Sequence, residues 1–112
     1  MKSKRSYNVQ MWVGLREEYS DRMHSIEEVQ GECIEHTLVG DCVTVTPTTF
    51  IYKNGFEAGA IVGYIQYPRF PRSRVQIRKR AFLLARKLMR RLGQLRVSVT
   101  TPYKTYMFER DE

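Results

Sequence analysis

The sequence has few of the residues that usually build covalent or metal-held sites: two cysteines and two histidines in 112 residues. One cysteine pair, Cys33 and Cys42, does not define a secreted disulfide scaffold, so both are expected reduced and largely buried. His24 and His36 do not join a cysteine at the spacing of a zinc finger, and no metal is expected. There is no apolar run near the roughly 20 residues that span a bilayer, which argues against integral membrane association. The basic start Met-Lys-Ser-Lys-Arg-Ser-Tyr lacks the apolar stretch of a signal peptide, so the chain is expected to be cytoplasmic. Phosphate-loop, nucleophilic-triad and cofactor motifs are missing as well, and no cofactor is expected.

Acidic residues are missing from one long stretch. Between Arg69 and Arg91 lie ten basic residues and no acid, whereas Glu17 to Asp41 holds eight acids. The net charge of +7 is therefore strongly uneven, which points to an anionic partner such as nucleic acid or an acidic protein. It also suits association of the acidic region of one copy with the basic region of another.

Residues 1–6 read as a basic tail and 7–112 as one domain, within the size that supports a single core. Val9, Met11, Val13 and Leu15 alternate with Asn8, Gln10, Trp12 and Gly14, the period of a strand with one buried face. Glu17 to Arg22 reads as a polar loop. Ser25 and Glu28 have capping-box spacing, opening a short helix that buries Ile26, Val29, Cys33 and either Ile34 or Thr37, and that ends at Gly40-Asp41. Cys42 to Thr46 is a strand that resumes beyond Pro47 through Tyr52, with Pro47 either interrupting the ladder or lying at an edge. Lys53-Asn54-Gly55 is a turn, and Ala58 to Tyr67 returns as the second arm of a long hairpin.

After the stiff crossover Tyr67-Pro68-Arg69-Phe70-Pro71, Ser73 and Gln76 repeat the capping-box spacing. The helix from Arg74 to Leu92 buries Ile77, Ala81, Leu84, Ala85, Leu88 and Leu92, with Gly93 as its C-terminal stop. Leu95, Val97 and Val99 alternate as a fourth strand, and Tyr103 to Phe108 forms a last strand or an extension. This order fits an α+β, ferredoxin-like two-layer β-α-β-β-α-β sandwich with an antiparallel sheet and an elongated hairpin. The sheet face away from the helices is expected to be open, with Trp12, Tyr64 and parts of the hairpin covered by self-association into a homo-oligomer.

Two surfaces stand out. On the outer face of the second helix, Lys79, Arg86, Lys87 and Arg90 gather opposite the buried stripe, and with Arg69 they suit phosphate groups. A second candidate collects Tyr52, Glu57, Tyr64, Tyr67 and Phe70 around the hairpin and crossover, where aromatics beside Arg69 would sandwich a base or planar metabolite. Catalysis has weaker support. Ser25 is used as a cap, and Asp21 with His24 or Glu32 with His36 offers only a proton-transfer pair. The resulting expectation is a non-enzymatic accessory or binding module for an anionic partner, or else a structural component of a homo-oligomer.

Overall fold

In the computed structural model, which describes residues 1, 3, 6–69 and 71–110, the elements run β1 (Val9–Gly14), α1 (Ile26–His36), β2 (Val43–Tyr52), β3 (Gly55–Tyr64), α2 (Arg74–Arg91), β4 (Arg96–Thr100) and β5 (Thr105–Glu109). The five strands form one antiparallel sheet in the order β2-β3-β1-β4-β5. The first four have the ferredoxin-like arrangement, and β5 extends it at one edge. Val9, Met11, Val13, Val62, Val97 and Val99 meet Val29, Ile77, Leu84 and Leu88 in a single core between sheet and helices.

Local signals account for most boundaries. Ser73 Oγ accepts from the Gln76 amide at 3.1 Å while the Gln76 side chain accepts from the Ser73 amide at 2.8 Å, a complete capping box. Replacing Ser73 with alanine removes one arm of it. The expected cost is about 1 kcal/mol, read from urea unfolding midpoints. At the other end of α2, Gly93 takes φ +60°, the left-handed geometry that favours glycine after a helix. β2 runs unbroken through Pro47 because it is the sheet's edge strand, where the missing amide costs no ladder bond.

α1 buries Val29 and Cys33 as the spacing predicts, with Ile26 and Thr37 half-buried, and it adds His36, which was not expected. Ile34 is exposed. Burial pushes the Cys33 thiol up to about 12, which keeps it an unreactive thiol. Cys42 is half-buried, and the two cysteines are not bridged.

Register separates the two sides of the hairpin. The cross-strand pairs Tyr52↔Gly55, Phe50↔Glu57, Thr46↔Ile61 and Thr44↔Gly63 place these residues, with Trp12, on the sheet face away from the helices. Tyr64 pairs with Val9 and Val43 and points to the helix side, where it is fully buried. It does not help line the open face, as the sequence reading expected. Past the helices, Ile51 and Phe56 are directly paired and stand 82% and 76% exposed.

Candidate functional site

The segment between β1 and α1 is an ordered miniature hairpin. The His24 amide donates to Leu15 O at 2.7 Å and the Glu17 amide to Arg22 O at 2.9 Å, with a bridge between Arg16 and Met23. Its root is tied to β3 by the Leu15 amide and Ala58 O, and to the end of α2 by the Glu18 amide and Gly93 O. Buried His24 clamps it further, with Nδ1 2.6 Å from Glu28 Oε2 and Nε2 3.4 Å from Glu17 Oε2. The Glu28 carboxyl is held below its usual range, first by its hydrogen bond to His24.

This clamp aims the tip at the hairpin. Arg16, Glu17, Glu18, Tyr19, Ser20, Asp21 and Glu57 line a cleft of about 420 Å³. Tyr19 has φ +62°, rarely adopted by a bulky side chain, and it is 83% exposed at the cleft. Four carboxylates face one guanidinium, so the cleft is acidic on a protein of net charge +7. Arg16 is paired with Asp21 at 3.3 Å.

Glu57 joins this cleft to the open face of the hairpin. It is the sole acid between Asp41 and Glu109 in the sequence, a signal that could have singled it out. Tyr52 lies diagonally across the strand pair on the same face, a separation of about 7–8 Å between backbones. Bare backbone lets the aromatics lie flat there. A Cβ on Gly59 would stand 2.1 Å from the Phe50 ring, and one on Gly55 would stand 2.7 Å from the Tyr52 ring.

The remaining sequence candidates are not gathered here. Tyr64 is on the opposite sheet face, Tyr67 and Arg69 lie exposed on the crossover beyond the far end of β3, and Phe70 falls outside the described residues. On α2, Lys79, Arg86 and Arg90 are exposed on one side, and Arg86 stacks over the Phe108 ring at 5.0 Å. Lys87 turns inward instead, with Nζ 3.2 Å from His36 Nδ1. The α2 face is also partly met within the chain: Arg91 lies 3.9 Å from Glu32, and Glu32 and Glu35 share a groove with Lys87 and Arg90.

Between the layers lies a polar cluster that the sequence reading missed. Asp41, whose side chain is fully buried, receives Arg80 Nε at 2.9 Å and has Arg72 Nε 3.2 Å away. Arg80 also donates to His36 O at 2.7 Å, and the Tyr64 hydroxyl sits beside the Asp41–Arg80 pair. Lysine offers only donors, so His36 Nδ1 accepts and the ring is neutral, its proton on the buried Nε2. The proposed proton-transfer pairs, Asp21 with His24 and Glu32 with His36, are therefore not formed.

No known protein family and no curated protein matches the sequence. Two solved structures share the fold. A phage SAM lyase in the apo state is 14% identical, with TM-score 0.74, covering 100% of this chain and 98% of the other. A phage SAM lyase in complex with S-methyl-5'-thioadenosine is 15% identical, with TM-score 0.71, covering 94% and 90%. The expectation of a purely non-enzymatic module is corrected by this likeness, because the fold is shared from end to end with phage SAM lyases, which are enzymes.

Proposed function

We propose that the chain is a lyase acting on a sulfonium nucleoside of the S-adenosylmethionine type, releasing methylthioadenosine, with the Tyr52–Glu57 face and the adjoining acidic cleft as its site. The observation that carries this reading is the location of the hairpin's sole carboxylate in the acidic cleft of a basic protein. Such a substrate carries a sulfonium and an ammonium, and a cleft of opposite sign concentrates it. The fold shared with phage SAM lyases supports the same reaction class.

The chemistry restricts what Glu57 does. When the bond from sulfur to the amino-acid side chain breaks, both electrons stay on sulfur and the sulfonium becomes a neutral thioether. A carboxylate against the sulfonium would stabilise the charge that the reaction removes. Its productive place is against the ammonium, fixing the chain for cleavage. The electron-poor carbon is then closed by the substrate's own carboxylate or by loss of a neighbouring proton, and no water is consumed. The Tyr52 ring offers a face to the cation and its hydroxyl a donor, and Arg16 suits the substrate carboxylate.

Self-association completes the picture. Ile51 and Phe56 form an exposed apolar pair near the tip of the hairpin, on the sheet face opposite Tyr52 and Glu57. A second copy of this chain covers them in the proposed homo-oligomer. Ile51→Asp combined with Phe56→Asp is expected to reduce the particle to a monomer in light scattering without loss of helical signal.

The function is tested by incubating purified protein with S-adenosylmethionine and separating the products. Methylthioadenosine accumulating with one equivalent of the four-carbon fragment supports the lyase. Unchanged substrate, at concentrations that saturate related enzymes, removes it.

A further inference from the structure

A second cleft, of about 290 Å³, lies at the opposite end of β1, between the first turns of α2 and the β4–β5 turn. The six residues of β1, at about 3.3 Å each, put it roughly 20 Å from the acidic cleft. Among the described residues its walls contain Tyr7, Tyr103 and Tyr106 with Arg74, Arg78 and Lys104, and no carboxylate. Among the described residues none of these three cations is in an ion pair. The site is thus opposite in sign to the proposed lyase cleft, and separate from Lys79, Arg86 and Arg90 on the outer face of α2.

The aromatic side is held in place. Thr101 Oγ1 accepts from the Tyr103 and Lys104 amides at 3.2 and 3.0 Å, which fixes the turn that presents both side chains. Arg74 Nη1 donates to the Tyr103 hydroxyl at 3.2 Å, and its guanidinium lies 5.9 Å from that ring's centre. Tyr7 is buried against Tyr103, with centroids 6.4 Å apart. Tyr106 is braced edge-on by Phe82 at 4.9 Å. Tyr103 itself is 62% exposed, so an aromatic ring has a free surface to stack on.

We infer that this cleft binds a nucleoside phosphate, its base against Tyr103 and its phosphate held by Arg78 and Lys104. Stacking on tyrosine tolerates any base, and a phosphate satisfies two cations that no carboxylate among the described residues neutralises. The volume is at the small end for ligand clefts and suits one mononucleotide unit. That unit is either a free nucleotide or one residue of a single strand, and the two sources differ in how binding responds to length and salt.

The test uses the full chain and pyrimidine probes, so that a site for an adenosyl group does not contribute. Uridine monophosphate, uridine and a short single-stranded oligouridylate are titrated by calorimetry. Uridine monophosphate should bind at least about tenfold more tightly than uridine, and Arg78→Glu with Lys104→Glu should weaken it by at least about tenfold. Glu57→Gln should leave nucleotide binding unchanged, which separates this site from the lyase proposal. An oligonucleotide that binds far more tightly than the mononucleotide, with a steep loss in salt, identifies a strand as the source. Equal affinity per site identifies the free nucleotide. If the double charge reversal does not fold, Tyr103→Ala, at an exposed position, should show the same loss. The inference is overturned if the phosphate adds nothing over uridine, or if the folded variants bind as the natural chain does.

Discussion

Replacing Glu57 with glutamine should slow release of methylthioadenosine from S-adenosylmethionine by about 100-fold or more, with the fold's melting temperature unchanged. The amide keeps the shape of the side chain and discards its charge. Glu57 is at the open face of an edge hairpin, paired across from Phe50, and no core contact depends on it. Its loss is therefore felt by a ligand rather than by the sheet. If orienting the ammonium is its task, both KM and kcat change, because the substrate is held less tightly and less often in the reactive geometry. Glu57→Asp, which restores charge on a shorter arm, should recover part of the rate.

The second large effect is acid sensitivity centred on His36. Burial, followed by the charges of Arg80 and Lys87, holds its imidazole down to about 4, with Asp41 opposing more weakly. The ring is packed by Tyr64 from β3, edge-on at 6.1 Å, and faces Lys87 and Arg80 of α2 and Asp41 ahead of β2. An unfolded histidine titrates near the ordinary 6.5. Between those values the unfolded chain takes up a proton that the native ring refuses, so stability falls as pH drops from about 6.5 towards 4. From pH 7 to pH 5 the loss from this residue is about 2 kcal/mol, visible as a shift in the urea midpoint. His36→Gln retains an acceptor for Lys87 and removes the titration. Its midpoint should change much less over the same interval, whatever its stability at neutral pH. Below about pH 4.5 the Glu28 carboxylate, stabilised by His24, adds a further loss of the same sign.

Sequence periodicity revealed the frame because its causes are local. The alternation of Val9, Met11 and Val13, the Ser73–Gln76 capping box and the stripe from Ile77 to Leu92 each need only neighbours in the chain. The Lys53-Asn54 turn did more than mark a hairpin. A two-residue turn forces Tyr52 opposite Gly55, which puts Tyr52 and Glu57 on one face by parity. The same parity assigns Tyr64, an odd number of residues from Glu57, to the other face, so grouping all three in one pocket conflicted with the pleat.

Long-range polar contacts were not legible. Asp41 looks like the last of a run of surface acids, yet its partners Arg72 and Arg80 lie 31 and 39 residues later and draw it into the core. Lys87 has the helical angle of an outer-face cation, but a buried histidine on the neighbouring helix turns its amine inward. The acidic cleft depends on a folded loop whose shape is set by His24 reaching Glu17 and Glu28, and no spacing rule encodes that clamp.

The location of the reaction is tested most directly by the structure of a complex with methylthioadenosine. The nucleoside is expected in contact with Tyr52 and Glu57, reaching towards Arg16 and Tyr19, at the end of a hairpin covered by a second copy. Methylthioadenosine bound solely at the Tyr103 cleft, or along the outer face of α2 with the Tyr52–Glu57 surface empty, would contradict the assignment.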